Sequence, residues 1–330
     1  MECPRLDHFV RFNPNGTVSR CGHMVGAPEF ASLEEMNSSS WLKTIRQQTW
    51  PIECTRCRET ESISGTSIRI NTLKFHAQQH KNDYLIVGGI LDNVCNSACQ
   101  FCNPELSTKI GSLHSRDYPR YNNADKFWQL PVDQIVHLDI NGGEPSHSPA
   151  YKHLLENLPQ NIKSVRLNTN GSRVMTELLP IIERGVRVTV TVSFDGTDTV
   201  HDYVRWPIKW KDFEQNVIAY QSMPVELNLW TTLNALNIAD FPNILAWAGK
   251  NQIDHSWGLL HTPDELSTRY RNPFTLAARK LFEVGTDARL VRVLGHVASS
   301  KNNDEAIFSY IAKQDKLRNI SYQQYFTNIV

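Results

Sequence analysis

The sequence of 330 residues predicts an α/β protein: a partial (β/α)₆ barrel with a small cysteine-rich module before it and helices after it. Two observations lead to this class. From about residue 83, short β-rich runs alternate with amphipathic stretches, and strands that alternate with helices form right-handed βαβ units around a parallel sheet. All seven cysteines lie within the first 102 residues. We therefore expect three regions, at residues 1–75, 76–262 and 263–330.

The β-rich runs predict six strands, and four amphipathic stretches predict helices between them. The strands are expected at residues 84–91, 134–140, 163–169, 187–194, 225–233 and 254–260. The helices are expected at residues 148–158, 174–185, 211–223 and 240–252. The last region has a helical pattern at residues 273–297, 304–318 and 321–329. We expect these later helices to pack against the sheet or to close its open side.

Polar or glycine-rich motifs follow four consecutive predicted strands. They are CNSACQFC (95–102), NGGEP (141–145), NTNGS (168–172) and SFDG (193–196). In parallel sheets and barrels, functional residues gather at the carboxyl ends of the strands. We therefore expect the functional site at this edge of the sheet.

The charge balance and the apolar runs argue against some classes of function. Lys plus Arg and Asp plus Glu each number 34, so no net positive field favours a nucleic-acid partner. The longest apolar runs are far too short to cross a bilayer, so no membrane partner is expected. The start of the chain shows no signal-peptide pattern, and the expected location is the cytoplasm, where stable disulfides are rare. Clustered cysteines in such a protein indicate a metal site.

The seven cysteines divide into a group of four and a group of three. The four are Cys3, Cys21, Cys54 and Cys57, and the three are Cys95, Cys99 and Cys102. Four thiolates can close a Cys₄ site, either around an iron–sulfur cluster or around zinc. Three thiolates on a four-iron cluster leave one iron with an open coordination position. A zinc site that borrows a histidine or a carboxylate is the alternative for the group of three.

Three motifs follow one another between about residues 84 and 260. The first is C-x-x-x-C-x-x-C with Phe101 before its last cysteine, the second is GGEP (142–145), and the third is SFDGTDTVHDYVR (193–205). Together they resemble the motifs of the radical S-adenosylmethionine (radical SAM) enzyme family: its cluster-binding signature, its GGE motif and its fourth-strand ribose-binding segment. The third motif is similar especially to the branch of the family that modifies peptides and proteins.

The resemblance implies iron–sulfur chemistry at the group of three cysteines. Cys95, Cys99 and Cys102 would hold three irons of a 4Fe–4S cluster, and the amino and carboxylate groups of S-adenosylmethionine would chelate the fourth. An electron from the reduced cluster would split a carbon–sulfur bond of the cofactor. The resulting 5′-deoxyadenosyl radical would then abstract a hydrogen atom from the substrate. A low-potential electron donor, such as flavodoxin or ferredoxin, is implied as a partner.

The resemblance also gives the other motif residues roles in binding the cofactor. They are Gly142, Gly143, Glu144, Asn170, Ser193, Asp195 and Arg205. The two glycines would let the backbone approach the ligand closely, and Glu144 would accept a hydrogen bond from the methionine ammonium. Ser193 and Asp195 would meet the ribose hydroxyls. Asn170 and Arg205 would reach polar parts of the cofactor, although a turn-forming Asn170 and a surface or ion-paired Arg205 stay open.

The first region predicts a hairpin with a cysteine at each end, because a polar NPNG turn lies between β-rich flanks at residues 3–21. A C-x-x-C pair follows at residues 54–57, and Gly16 gives the spacing G-x-x-x-x-C to Cys21. This pattern resembles the auxiliary-cluster domains called SPASM or, in shortened form, twitch. The resemblance implies a second 4Fe–4S cluster held by the group of four, and a zinc site stays open. In the family such domains usually follow the radical domain, whereas this one precedes it.

Three functions are compatible with these patterns. The leading hypothesis is a radical SAM enzyme that oxidises or cross-links a side chain of a peptide or protein. The second is a radical SAM enzyme that modifies a nucleotide or another small metabolite, with the aromatic and basic segment RWPIKWK (205–211) near its substrate. The third is a zinc-bearing interaction protein without catalytic activity.

Overall fold

The structure is a computed structural model, and it describes residues 2–79, 83–114, 116–282 and 301–326. Eight strands run through these residues: β1 Phe9–Phe12, β2 Val18–Ser19, β3 Leu85–Ile90, β4 Ile135–Asn141, β5 Ser164–Thr169, β6 Arg187–Ser193, β7 Glu226–Leu233 and β8 Asp254–Leu259. The helices are α1 Arg5–His8, α2 Leu33–Ser38, α3 Ser40–Gln47, α4 Thr55–Ser64, α5 Ile68–Ala77, α6 Thr108–Leu113, α7 Ala124–Trp128, α8 Pro149–Glu156, α9 Leu179–Glu183, α10 Asp198–Val204, α11 Trp210–Gln221, α12 Phe241–Lys250, α13 Pro273–Phe282 and α14 Asp304–Arg318.

The eight strands form one mostly parallel sheet in the order β2-β1-β3-β4-β5-β6-β7-β8. Strand β1 pairs antiparallel with β2, whereas the ladders β1–β3, β3–β4, β4–β5, β6–β7 and β7–β8 are parallel. The sheet is not closed in the part of the chain that the structure describes. The predicted α/β class is confirmed, and each of the six strands expected from the sequence is present within one residue of its expected bounds.

Strand β1 joins the sheet in a way that the sequence did not predict. The expected hairpin is present, but β1 also pairs parallel with β3, with Phe9 opposite Ile86. Phe9 and Ile86 are buried together with Tyr84, so this pairing covers apolar side chains. Gly89 permits it, because its φ is +92° and a Cβ there would collide with the backbone of Phe12.

Three of the four helices expected between strands agree closely with α8, α11 and α12. The exception was expected at residues 174–185, where the structure has a 3₁₀ turn, Thr176–Leu178, followed by the short α9. Pro180 lies in the first turn of α9, a position that tolerates its missing N–H, and Gly185 with φ of +84° comes just after the helix. None of the helices in the described ranges is long and apolar enough to span a bilayer.

The chain divides into two compact units. The first comprises Met1–Val94, Pro119–Leu167 and Glu177–Val188, and the second comprises Cys95–Tyr118, Asn168–Thr176 and Thr189–Val330. A small core of Leu6, Leu42 and Ile45 lies in the first unit. A larger core in the second unit joins α10, α13 and α14; its members include Tyr203, Leu236, Phe274, Ile307 and Ile311.

The C-terminal helical prediction is met only in part. The pattern at residues 273–297 corresponds to α13 as far as Phe282, and the remainder lies outside the described residues. The pattern at residues 304–318 coincides with α14. At residues 321–329 the structure has a single 3₁₀ turn, Tyr322–Gln324, and the last three of these residues lie outside the described part.

Candidate functional site

The three cysteines of the second group lie together on the loop that follows β3, which we call the cysteine loop (Cys95–Cys102). Ser97 Oγ lies 3.4 Å from Cys95 Sγ and 3.6 Å from Cys99 Sγ. Cys99 is buried, and the other two cysteines are half-buried. Burial, followed by the negative charge of Cys99 and Cys95, raises the pKa of Cys102 to about 12. Thiols with raised pKa values release their protons when a metal binds their sulfur atoms.

One side of the cysteine loop is fixed by the end of α10. The amide of Ala98 donates to the carbonyl of Trp206 at 2.7 Å, and the amide of Gln100 donates to the carbonyl of Val204 at 2.9 Å. The Gln100 side chain adds a hydrogen bond to the Tyr203 carbonyl at 3.2 Å. These bonds pair the amides of Ala98 and Gln100 and hold the backbone on both sides of Cys99.

The other side of the cysteine loop is fixed by α14. The buried Arg318 donates from Nε to the Ala98 carbonyl at 2.8 Å and from Nη2 to the Cys99 carbonyl at 3.1 Å. Tyr310 donates its hydroxyl to the Gln100 carbonyl at 2.6 Å. Three consecutive carbonyls of the loop are thus bound by one helix. No sequence pattern indicated these contacts, because no motif links residues more than 200 positions apart.

Asn170 contacts the cysteine loop from the segment after β5. Its Nδ2 donates to Asn96 Oδ1 at 2.8 Å and lies 3.2 Å from Ser97 Oγ. Its Oδ1 accepts from the amide of Ser172 at 3.0 Å, a local bond typical of an asparagine in a turn. Asn170 therefore forms a turn and also orients the loop. A direct contact with the cofactor stays a prediction.

Arg205 and Asp195 form a buried pair beside Cys99. They are 7% and 0% exposed. Arg205 Nε donates to Asp195 Oδ2 at 2.5 Å, and Arg205 Nη1 lies 3.5 Å from Cys99 Sγ. Burial alone would lower the pKa of Arg205, but the Asp195 carboxylate and the Cys99 sulfur raise it above its ordinary value. The arginine is therefore charged and ion-paired with Asp195. Its contact with the cofactor stays a prediction.

Ser193 and Asp195 were both predicted to meet ribose hydroxyls, and the structure gives them different surroundings. Ser193 ends β6, is half-buried and pairs with Trp230 of β7. The Asp195 carboxylate accepts from the amide of Thr232 at 2.6 Å in addition to its pair with Arg205. Contact of either residue with a ribose stays a prediction.

Gly142 and Gly143, at the end of β4, have φ values of +93° and +58°. A Cβ on Gly143 would lie 2.6 Å from the carbonyl oxygen of Val94 and 2.9 Å from that of Asp92. Gly143 is required here because a side chain would strike the backbone that leads into Cys95. The close approach in the structure is thus made by the chain itself, and the predicted approach of a ligand stays a prediction.

Glu144 is buried beside the same backbone segment. Its amide donates to the Val94 carbonyl at 2.7 Å. Its Oε1 accepts from the amide and the hydroxyl of Ser146, at 3.0 and 2.6 Å. These neutral donors fix the orientation of the carboxylate. A buried carboxylate oriented in this way can accept a strong hydrogen bond from an ammonium group.

The four N-terminal cysteines line one cavity of the first unit. Cys3 lies before α1, Cys21 after β2, and the C-x-x-C pair at the start of α4. Burial raises the pKa of Cys3 to about 11 and that of Cys54 to about 12, and the charges of neighbouring thiols act in the same direction. The structure therefore brings together the four residues that the sequence grouped.

Donors that the sequence did not single out surround this cavity. The amide of His23 donates to Cys21 Sγ at 3.4 Å, and Arg5 Nη1 lies 3.9 Å from the same sulfur. Arg5 is buried and also donates to Thr72 Oγ1 at 3.1 Å. Hydrogen bonds to thiolate sulfur are the usual second layer around a metal site.

Both groups of thiols fit iron–sulfur chemistry by their donor type, since clusters are held by cysteine thiolates. The group of three fits a cluster with one open iron. By donor type alone, the group of four matches either a closed cluster or a zinc ion. Within the described ranges, no three His, Cys, Asp or Glu side chains come close enough together to hold a single metal ion.

Comparison with known proteins gives a family match and distant relatives. Residues 90–248 match the family described as the Radical SAM superfamily. Over an aligned stretch of 170 residues, the chain is 25% identical to the GTP 3′,8-cyclase of Brucella ovis. This stretch covers 48% of this chain and 48% of that protein. The chain thus spans about half the length of the curated relatives it matches. The family match supports a radical SAM domain, and that family implies a 4Fe–4S cluster and S-adenosylmethionine as cofactors.

Solved structures give distant likenesses. Streptococcus suis SuiB bound to its precursor peptide SuiA has a TM-score of 0.43 and 15% identity, with 74% of this chain and 50% of that chain covered. Native anSMEcpe with bound AdoMet has a TM-score of 0.45 and 12% identity, with 72% of this chain and 63% of that chain covered.

Replacing Arg318 with Gln should loosen the cysteine loop. The substitution removes two charged hydrogen bonds to the carbonyls of Ala98 and Cys99, with a local cost of about 2–3 kcal/mol. Hydrogen exchange read by mass spectrometry should show faster exchange of the Ala98 and Gln100 amides. Lys316→Gln is the matched control, because Lys316 lies on the same helix and is exposed. Equal exchange rates in Arg318→Gln and in the unsubstituted protein would contradict the bracing role of α14.

Proposed function

We propose that the chain is a radical SAM enzyme that cleaves S-adenosylmethionine reductively and abstracts a hydrogen atom from a substrate, oxidising or cross-linking a side chain of a peptide or protein. The match of residues 90–248 supports the class of enzyme. The observation that carries the proposal is the gathering of Cys95, Cys99 and Cys102 on one braced loop. Three thiolates from one loop suit a four-iron cluster whose remaining iron takes a small molecule.

In this proposal the cysteine loop holds the cluster and the GGE segment holds the cofactor. The cluster, when bound, supplies the electron that breaks a carbon–sulfur bond of S-adenosylmethionine. Gly142 and Gly143 let the backbone turn tightly, and Glu144 accepts a hydrogen bond from the methionine ammonium. Its fixed orientation suits that role, because an acceptor that is already in place costs little reorganisation on binding.

Four polar residues of the second unit are also proposed to contribute to cofactor binding. Ser193 at the end of β6 donates to a ribose hydroxyl. Asp195 already accepts hydrogen bonds from Arg205 and Thr232. It accepts a bond from a second ribose hydroxyl with its remaining carboxylate lone pairs. Asn170 acts mainly through the loop that it orients, and Arg205 acts mainly through Cys99. These roles extend the resemblance of the motifs and rest on the burial and the contacts described above.

The four N-terminal thiols are proposed to hold a second, auxiliary 4Fe–4S cluster in a SPASM- or twitch-like module, within a chain organised as residues 1–75, 76–262 and 263–330. Cys3, Cys21, Cys54 and Cys57 leave no open iron if all four are ligands. A closed cluster carries electrons, so it would accept the electron that the substrate radical gives up after hydrogen abstraction. Flavodoxin or ferredoxin would reduce the three-cysteine cluster. Zinc in the same cavity is the alternative for these four residues.

A nucleotide or other small metabolite is the second candidate substrate. The likeness to the GTP 3′,8-cyclase of Brucella ovis, 25% identical over 170 residues, favours it. The peptide or protein reading rests instead on the SFDGTDTVHDYVR segment and on the four-thiol cavity. The two readings share the cofactor chemistry and differ only in what contacts the radical.

Replacing Cys99 with Ala should abolish formation of 5′-deoxyadenosine. The protein is reconstituted anaerobically with iron and sulfide, reduced with dithionite and incubated with S-adenosylmethionine, and the product is measured by liquid chromatography. Loss is expected because two thiolates from the loop cannot hold a cluster with a single open iron. Unsubstituted protein that takes up no iron, or a Cys99→Ala variant with undiminished product, would contradict the proposed function.

Replacing both Cys54 and Cys57 with Ser should lower the iron content by about half, since each Cys-ligated cluster holds four irons. Some 5′-deoxyadenosine should still form, because the cysteine loop is intact. Iron and zinc are measured together by plasma mass spectrometry. If the double variant keeps its iron content and loses zinc, the four N-terminal thiols hold a zinc ion and not an auxiliary cluster.

A further inference from the structure

Cys99 has a buried cation at its sulfur. Arg205 Nη1 lies 3.5 Å from Cys99 Sγ. Around the other two thiols, the Ser97 hydroxyl lies 3.4 Å from Cys95 Sγ, and Cys102 Sγ lies 3.8 Å from the carbonyl of Asn103. The guanidinium therefore donates a hydrogen bond at the Cys99 position of the loop.

The direction of the Arg205 N–H groups is set by the chain before any cofactor binds. The Asp195 carboxylate pairs with Nε and Nη2 of Arg205. It also accepts a hydrogen bond from the amide of Thr232 at 2.6 Å, which fixes its position. The guanidinium carbon also lies 5.6 Å from the centre of the Phe101 ring. Nη1 is thus left to point at the sulfur, and no rearrangement is needed to form an N–H···S hydrogen bond.

Such a bond affects the electronics of a cluster in a known direction. Reduction adds one negative charge to the cluster, and that charge spreads onto the thiolate sulfurs. A buried positive charge and an N–H donor at a sulfur stabilise the reduced form and so raise the reduction potential. The effect is large when the groups are buried, because the surroundings screen charge weakly.

We propose that Arg205, oriented by Asp195, raises the reduction potential of the three-cysteine cluster through a hydrogen bond to Cys99 Sγ. The inference rests on the proposed function, since it takes Cys99 as a cluster ligand. It makes Arg205 a positioning and tuning residue. The low-potential donor, a flavodoxin or ferredoxin, would then reduce the cluster more readily.

A structural ion pair is the simpler explanation of the same geometry. A buried Arg–Asp pair can hold the end of α10 against the strand ends without any electronic role. The two explanations differ in one observable. A structural pair affects how much folded, cluster-loaded protein is obtained, whereas the proposed hydrogen bond also shifts the potential of the cluster that remains.

The test is a redox titration of the full-length, reconstituted protein, followed by electron paramagnetic resonance. The three-cysteine cluster is identified as the one whose signal changes when S-adenosylmethionine is added. Its midpoint potential is expected to shift to more negative values in Arg205→Gln, which lacks the charge. A smaller negative shift is expected in Arg205→Lys, which keeps the charge but loses the fixed fork of donors.

Lys209→Gln is the matched control. Lys209 carries a cation on the same segment and pairs with Asp202 at 3.0 Å, but this pair is more exposed, so its loss should leave the potential unchanged. An unshifted potential in both Arg205 variants, with iron content intact, would overturn the inference and leave the proposed function standing. If Arg205→Gln fails to retain iron, the midpoint potential measured in Arg205→Lys decides whether the inference holds. Unsubstituted protein without a cluster that responds to S-adenosylmethionine would instead refute the proposed function.

Discussion

The constraint on which the site depends is the fixing of the backbone from Ala98 to Gln100. The end of α10 binds the amides of these two residues, and α14 binds three consecutive carbonyls around Cys99. A loop between strand and helix is ordinarily mobile and makes few such bonds. Here five backbone groups are paired with buried or half-buried partners, so the backbone that carries the thiols is held in place by the chain itself. Preorganisation of this kind is what a ligand set needs in order to leave one coordination position vacant.

In the first unit, the backbone that precedes the cysteine loop is also held by hydrogen bonding and close packing. The Val94 carbonyl, next to Cys95, accepts a hydrogen bond from the amide of Glu144. Position 143 requires glycine, because a Cβ there would lie too close to the carbonyl oxygens of Asp92 and Val94. The GGE segment thus has a structural task that exists without a cofactor. Binding of S-adenosylmethionine is proposed as a second task of the same residues.

Much of the fold followed from local pattern, and the parts that did not were long-range. The alternation of short apolar runs was sufficient for the six strands from β3 to β8, since period and length are local properties. Local pattern could not predict the pairing of β1 with β3. That pairing joins residues 77 positions apart and depends on the positive φ of Gly89. Motif spacing identified both groups of cysteines. It could not identify Arg318 or Tyr310, whose contacts with the cysteine loop leave no periodic signal, nor the pairing of Arg205 with Asp195.

The central claim is that one iron at the cysteine loop is left for a small molecule. The direct measurement is electron–nuclear double resonance on the reduced, reconstituted protein with S-adenosylmethionine carrying ¹⁵N in its amino group. The account predicts a ¹⁵N coupling that arises from binding to a cluster iron and that vanishes when the labelled cofactor is omitted. A cluster that forms but shows no such coupling, or whose four irons are all bound by protein side chains, would contradict the account.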